Sequence, residues 1–436
     1  MKALILGSGG REHALAWKVA QSPLIQQLYW APGNAATVDK CMRVALDINN
    51  HAEVADFIKK EGIGLVVIGP EQPLVEGLTN YLKATPGLSH LHIVGPSQEG
   101  AQLEGSKDFA KQFMARHNIP TARYKTFTAQ ETEQAKEYIR TQEQAPYVLK
   151  ADGLAAGKGV LICETEQEAI KGIEDILGGQ FGAAGNKIVI EQFLSGIECS
   201  VFVLTDGEHY TLLPTAKDYK RIHDADMGPN TGGMGAVSPV PFANDLFMQK
   251  VEKQIIRPTI DGLKKEGIDY RGFIFFGLIC CNGNPYVIEY NCRMGDPETE
   301  VVMPRIQGDL VPALLALQYQ TLGANDVQIS PQTAATVVAV SGGYPNDYKK
   351  GYPIAGLNKN TPDTLVFHAG TTLSPQGDAL THGGRVLTVT GIGDSITEAT
   401  EKSYQRITQL CFTDMYYRKD IGMDLLRLQE STPNKS

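Results

Sequence analysis

The chain lacks the features by which several classes of protein announce themselves. No apolar stretch approaches the roughly 18 residues needed to cross a bilayer. The run from Met1 to Gly7 is too short for a secretory leader before Gly9 and Gly10 interrupt it. Long runs of lysine or arginine are absent, and with a net charge of −9 and a pI near 5.6 no nucleic-acid-binding surface is expected. The seven cysteines (Cys41, Cys163, Cys199, Cys280, Cys281, Cys292 and Cys411) are scattered and contain no CxxC pair. Neither a zinc site nor a disulfide framework is therefore supported, and the expected compartment is a reducing cytoplasm. Only nine histidines are present. No Ser–His–Asp or Cys–His nucleophile set stands out, and His13 reads as structural.

What is present is an ordinary globular composition, 42% apolar and 20% charged over 436 residues, enough for two to four domains. Its 45 glycines cluster in short loops, as suits a backbone that approaches a ligand closely. The first hundred or so residues alternate strand and helix signals: strands at Ala3–Leu6, Gly64–Ile68 and His92–Val94, helices at Arg11–Ala20 and near Leu74–Lys83. This pattern predicts an open parallel βαβ domain with its crevice at the carboxyl ends of the strands, where Gly7, Gly9, Gly10 and the turn Gly69-Pro70-Glu71 fall. A dinucleotide fingerprint would need glycine where Glu12 stands, so the turn is a weak NAD site, although it can receive a phosphate at the helix start. From about Leu103 the character changes. Ser106 can cap a helix bearing Lys107 and Lys111, and Tyr147–Lys150 and Gly159–Cys163 predict two short strands around a glycine-rich loop. Thr165 and Glu168 form a capping-box pattern ahead of a helix burying Ile170, Ile173 and Leu177, and Lys187–Gln192 is a further strand. After Ile329 the pattern is α+β: strands at Thr333–Val340, Thr364–Phe367 and Arg385–Thr390, then a helix near Ile396–Leu410.

The most informative segment runs from Val287 to Thr299. As a strand it places Glu289 and Asn291 on one face, a carboxylate and an amide oxygen suited to a hard cation that nucleotide phosphates also hold. Arg293, next in that series, offers a planar donor fork for a phosphoryl oxygen. An edge strand with a solvated polar face is the other reading. The loop Asp152–Gly159 departs from a phosphate-binding P-loop at Asp152 and at Gly159, and a strand instead of a helix follows it. Its backbone, with Gly157, Lys158 and Gly159, instead suits a mobile hairpin folding over a triphosphate. Lys150 ends an apolar strand, where a lysine is costly unless it meets an anion. Lys107 reads equally as a solvated helix residue.

Glu191, Phe193 and Glu198 close a strand whose backbone at Gln192 and Phe193 can pair with an adenine edge while a carboxylate takes ribose hydroxyls. Asp218, Lys220 and Arg221 form a charged turn, followed by a polar glycine loop containing Asn230, Thr231, Gly232 and Gly233, a cradle for a phosphate or carboxylate. Metal, lysines and an arginine without a nucleophile suggest phosphoryl transfer, where positioning and charge neutralisation dominate.

Together these residues resemble the ATP-grasp superfamily. Gly7-Ser-Gly-Gly-Arg-Glu-His-Ala14, Ala31-Pro-Gly-Asn34, Leu103-Glu-Gly-Ser-Lys107, the segment from Lys150 to Gly159, Pro229-Asn-Thr-Gly-Gly-Met-Gly235, Asn291-Cys-Arg-Met-Gly-Asp-Pro-Glu298 and Arg418-Lys-Asp-Ile-Gly422 occur in order. Across nearly the full chain they resemble the phosphoribosylamine–glycine ligase (glycinamide ribonucleotide synthetase) family. The resemblance implies an α/β and α+β multidomain protein: an N-terminal open parallel βαβ substrate domain (1–102), an ATP-grasp domain (103–329) with a small mobile lid over about 122–190, and a C-terminal α+β domain (330–436). It implies ATP-dependent joining of glycine to 5-phosphoribosylamine, through glycyl phosphate, in purine synthesis. Glu289 and Asn291 would hold Mg²⁺ or Mn²⁺; Lys107, Lys150 and Lys158 would offset phosphate charge; Arg293, Lys158 and Asp218 would be catalytic. ATP would further meet Gly157, Gly159, Glu191, Phe193 and Glu198. Gly9, Gly10, Glu71, Lys220, Arg221, Asn230, Thr231, Gly232, Gly233 and Asp296 would hold glycine and the ribose phosphate.

The expected partners are small molecules, with neither nucleic acid nor membrane, for a monomer making at most transient contact with neighbouring purine-pathway enzymes. Ser8 stands where the family often has Asn, and Lys217 and Tyr219 where Gln and His are usual. Phe273–Ile279 offers no carboxylate of the kind many ATP-grasp enzymes add from the neighbouring strand. A carboxylase using bicarbonate and a purine-pathway ribonucleotide is the rival enzyme reading, and a non-catalytic ATP-binding module the non-enzymatic one.

Overall fold

The computed structural model describes residues 1–141, 144–154 and 159–431. The N-terminal sheet has five parallel strands in the order Cys41–Arg43, Gln27–Pro32, Lys2–Gly7, Ile63–Ile68, His92–Val94. Ala3, Leu4, Ile5 and Leu6 are all fully buried, as a central parallel strand covered on both faces requires. The order turns back between Lys2–Gly7 and Ile63–Ile68, which opens the crevice at Gly7 and Gly69. The single helix expected near Leu74–Lys83 is two, Glu71–Val75 and Leu78–Ala84. Gly77 between them sits at φ +88° against the Gln98 side chain, so the chain turns where the apolar periodicity continues.

A second sheet is antiparallel, in the order Tyr124–Thr128, Lys187–Gln192, Tyr147–Ala151, Val160–Cys163, and has its own core around Phe127, Ile139, Leu149, Ile188 and Ile190. Thr165 and Glu168 do form a capping box at the helix Glu166–Asp175. Ala169 and Ile173 are fully buried in it and Ile170 only half-buried; just beyond its end Ile176 is fully buried and Leu177 half-buried. The helix closes into a wider turn at Ile176–Gln180, and that rotates the apolar face by one residue.

A third sheet pairs Tyr210–Leu212, Ile197–Thr205, Gly272–Cys281 and Asn284–Asn291. A fourth, of five antiparallel strands, joins Lys217–Asp218 and Gly235–Ser238 from the middle of the chain to Thr333–Val340, Arg385–Gly393 and Thr364–His368. The C-terminal sheet is thus completed by residues that lie 96 to 102 positions upstream of those they pair with. Through that pairing, late parts of the chain reach the site.

Candidate active site

Asn284–Asn291 is a strand as expected, paired with Gly272–Cys281, and a bulge at Ile288 places Glu289 opposite Gly277. A Cβ at Gly277 would stand 3.0 Å from the Glu289 Cγ, so the missing side chain leaves the carboxylate its space. Among the described residues the Glu289 carboxylate takes part in no hydrogen bond or ion pair, and the buried Asn291 Nδ2 has no partner. Neither group is consumed by the fold, and both offer hard oxygens, so the pair fits a divalent cation. The alternation expected to continue to Arg293 stops at Asn291, where the strand ends. Arg293 turns instead to two carboxylates: Nε donates to Glu71 (3.2 Å), Nη2 to Glu104 (2.6 Å) and Nη1 to the Met294 carbonyl (3.2 Å). A guanidinium has five N–H groups, so two remain for a ligand. Cys292, on the opposite face, is buried and donates to Glu104 at 3.1 Å.

The expected anion for Lys150 is a protein one. Its Nζ lies 2.9 Å from Glu191, whose other oxygen is 2.9 Å from Lys111, and all three side chains are nearly fully buried. Of the two carboxylates offered for ribose hydroxyls, Glu191 is thus paired within the fold, whereas Glu198 lines the cavity described below. The Gln192 N–H is likewise taken, by the Arg123 carbonyl, and is not free for an adenine edge, while Phe193 is 37% exposed at the strand end. Lys107 reaches the Gly153 carbonyl at 3.2 Å; burial lowers its pKa while Glu289 pulls it up. Asp152 stands where a P-loop glycine would because it accepts from the Asp108 N–H (2.7 Å) and the Ser106 hydroxyl (3.0 Å), tying the loop to the helix start. Gly159 accepts from Ala151 at 2.8 Å. Gly157 and Lys158 lie outside the described residues.

At the crevice, Gly10 passes so close to Glu300 that a Cβ there would collide with its carboxylate, and Gly9 lies against Asp296 and Glu12. Asp296 accepts from the Arg11 N–H at 3.4 Å and Glu12 from the Gly9 N–H at 2.6 Å. The helix start expected to receive a phosphate is thus already faced by carboxylates, which favour hydroxyl or amine groups there. Burial would raise the Glu71 pKa, but Arg293 and then Arg11 hold it down at about 2. Gly233, at φ +117°, packs on Pro297. Arg385 ties this loop down by donating to the Gly232 carbonyl (2.6 Å) and the Asp296 carbonyl (2.8 Å) and by pairing with the Asp296 carboxylate at 3.0 Å.

Asp218, Lys220, Glu198 and Glu289 line one small cavity with Ser200, Phe275 and Gly277. Lys220 and Glu198 pair at 2.6 Å, but at 43% and 45% exposure solvent screens the contact, which is worth under about 1 kcal/mol to stability. Burial opposes the Lys220 charge, yet Glu198, Asp218 and Glu289 raise its pKa well above the ordinary lysine value. Burial raises that of Asp218, against the pull of Lys220. Lys217 and Tyr219, which depart from the resembled family, alternate to the other face: both bind Asp424, at 3.0 and 2.6 Å. The departures therefore lie off the cavity. Arg221 donates to the Gly228 carbonyl at 2.7 Å and pairs with Asn230 across a short hairpin, and the Thr231 hydroxyl bonds the Lys220 carbonyl at 2.8 Å.

Sequence reading missed Arg11, Glu104, Lys111, Glu298, Glu300 and Arg385. For Arg385 the signal was the doublet Gly383-Gly384 ahead of a strand; for Glu298 it was the turn it shares with Asp296. Burial and then the charge of Asp218 push the Glu298 carboxyl up to about 7 from its ordinary 4.5, and the Ser200 hydroxyl donates to it at 3.1 Å. A carboxyl whose pKa is raised on folding stabilises fully below its unfolded value and loses that contribution as pH rises through the folded one. Glu298→Gln is expected to remove this dependence, so that urea melts show the wild type losing roughly 3 kcal/mol relative to the variant between about pH 4.5 and 7. Parallel curves would refute it.

Family models for phosphoribosylglycinamide synthetase match in chain order: the N domain over residues 1–104, the ATP-grasp (A) domain over 105–299 and the C domain over 334–424. The chain is 47% identical to the phosphoribosylamine–glycine ligase of Agrobacterium fabrum over 99% of its own length and 100% of the relative's. Against that of Escherichia coli (strain K12) the figures are 46%, 99% and 100%. A crystal structure of the Thermotoga maritima phosphoribosylamine–glycine ligase superposes with a TM-score of 0.83 at 35% identity, covering 97% of this chain and all of that one. With family models over most of its length and such relatives along all of it, the chain belongs to the phosphoribosylglycinamide synthetase family.

Proposed function

We propose that the protein joins glycine to 5-phosphoribosylamine at the expense of ATP, giving glycinamide ribonucleotide, ADP and phosphate. The observation that carries this reading is that Glu289, whose carboxylate makes no hydrogen bond or ion pair among the described residues, shares one cavity wall with the acid–lysine set Glu198, Asp218 and Lys220. A glycine carboxylate oxygen attacks the γ-phosphorus and the bond to ADP breaks. The substrate amine then attacks the acyl carbon, phosphate leaves, and the amide nitrogen gives up a proton. Lys220 orients the glycine carboxylate while Asp218 and Glu198 face its ammonium. Lys107 and Lys158 offset phosphate charge, Lys150 adds its field from behind while it stays paired with Glu191, and Arg293 uses its remaining N–H groups on the transferred phosphoryl. A Mg²⁺ or Mn²⁺ ion held by Glu289 and Asn291 would neutralise charge on the triphosphate. Arg221, Asn230–Gly233, Gly9, Gly10, Glu71 and Asp296 hold the ribose phosphate substrate, with its hydroxyls toward the carboxylates at Gly9.

A division at 1–102, 103–329 and 330–436 belongs to the same proposal, and the separate core of the second sheet supports 122–190 as a unit of its own. A cytoplasmic monomer is part of the same proposal; no described helix is long and apolar enough to cross a membrane. The test is ADP release with each substrate omitted in turn. Turnover is expected only with glycine and phosphoribosylamine together. Dependence on bicarbonate instead, or nucleotide binding without turnover, would overturn the reading.

A further inference from the structure

The segment Arg418-Lys-Asp-Ile-Gly422 has no part in the chemistry above, yet Arg418 is only 1% exposed and reaches back almost two hundred residues. Its Nη1 donates to the Arg221 carbonyl at 3.1 Å and to the Asp226 carboxylate at 2.7 Å. Nε and Nη2 hold Asp420 in a fork at 2.8 and 2.7 Å. Asp420 in turn accepts from the Ala225 N–H at 2.8 Å, and Asp224 accepts from the Lys419 N–H at 2.8 Å. The bonded turn needs such a hold. Ala225 and Asp226 are consecutive non-glycine residues at φ +58° and +53°, a conformation that persists only where surrounding contacts impose it. The strand leading into it is docked from the same side. Lys217 Nζ lies 3.8 Å and the Arg418 guanidinium carbon 5.3 Å from the centroid of the Tyr219 ring, whose hydroxyl accepts from the Gly422 N–H at 3.0 Å.

Lys217 and Tyr219 thus face the C-terminal segment while Asp218 and Lys220 face the cavity. We propose that Arg418 is a positioning residue: with Asp420 it fixes the exposed hairpin that carries Arg221 and Asn230, and so governs binding of the phosphorylated amine substrate and not of ATP. This rests on the substrate assignment proposed above.

The experiment compares Arg418→Ala and Arg418→Lys with the wild type at saturating glycine. Arg418→Ala is expected to raise KM for phosphoribosylamine about 10-fold, as if one charge-assisted contact from Arg221 to the substrate phosphate were lost, with KM for ATP unchanged. Arg418→Lys, which keeps the charge but not the fork, restores only part. Limited proteolysis within residues 223–228 should be faster in Arg418→Ala while its far-UV circular dichroism matches the wild type. Asp226→Ala removes one contact at a side chain 58% exposed, so it serves if Arg418→Ala fails to fold, with the same KM pattern expected at smaller size. An unchanged KM for phosphoribosylamine, or an equal rise in both KM values, overturns the proposal. If the wild type shows no turnover dependent on glycine and phosphoribosylamine, the substrate assignment fails. The proteolysis comparison then still decides whether Arg418 holds the hairpin.

Discussion

Glu289→Gln is expected to lower kcat/KM on the order of 100-fold or more at limiting Mg²⁺ while leaving the melting temperature within a few degrees of the wild type. The two halves of that expectation have one structural cause. The Glu289 carboxylate makes no hydrogen bond or ion pair with any described residue, so the fold loses no direct contact when its charge is removed. Its field nevertheless reaches Lys107 and Lys220, whose pKa values it raises, so the cavity loses a negative charge that its lysines are arranged around. Glutamine keeps the shape opposite Gly277 and offers a neutral oxygen, a weaker donor to a hard cation. The measurements are steady-state rates across a Mg²⁺ titration, thermal melts, and calorimetric binding of Mg²⁺–ATP, which should weaken. Near-normal rates at limiting Mg²⁺ would remove Glu289 from the metal.

How far the site could be read from sequence depends on how far apart in the chain its parts lie. Glu289 and Asn291 were legible because strand parity is local and the strand is there. Asp218 and Lys220 stood out only as part of a charged turn; the strand at Lys217–Asp218 supplies the parity that sends their neighbours Lys217 and Tyr219 elsewhere. Ser106 was rightly read as a cap: its hydroxyl accepts from the Phe109 N–H at 3.1 Å.

Parity failed at Arg293, because nothing local says that the strand ends at Asn291 or that Glu71 and Glu104 wait from elsewhere in the fold. Arg385 had only a glycine doublet and Arg418 only a short motif to mark them, and neither could be given a role, since their partners arrive only when the fourth sheet recruits Lys217–Asp218 and Gly235–Ser238. In the fold at large, the strand–helix alternation of the first hundred residues announced a parallel sheet, but the shared C-terminal sheet left no signature in any one stretch. Long-range pairing leaves no period to read.

Glu191 is the case where this matters most for stability. A carboxylate at the end of a strand in a nucleotide-binding protein reads as a ligand group, but here it is the counterion of two buried lysines, Lys111 and Lys150. Burial would raise its pKa, yet Lys150 and then Lys111 hold it below the ordinary glutamate value. Burial dominates for Lys111, whose pKa falls to about 8 in spite of Glu191. Glu191→Ala leaves two ammonium groups in the interior without a counter-charge, and the expected cost at pH 7 is about 3–5 kcal/mol in chemical denaturation.

The sign of its pH dependence follows from the depressed lysine. The unfolded chain keeps the Lys111 proton up to its ordinary 10.5 while the folded one releases it from about 8, so the wild type gains stability as pH rises through that window. Without Glu191 the folded pKa drops further, the gain begins at lower pH, and the gap between variant and wild type should narrow by pH 9.5. The effect reaches the chemistry too, because Lys150 also donates to the Ile288 carbonyl at 3.1 Å, directly behind Glu289. A variant that folds in alkaline buffer should therefore still turn over slowly. Denaturation curves that overlay the wild type at pH 7 would show that the lysines find other partners, and the triad would lose its place as the electrostatic centre of the fold.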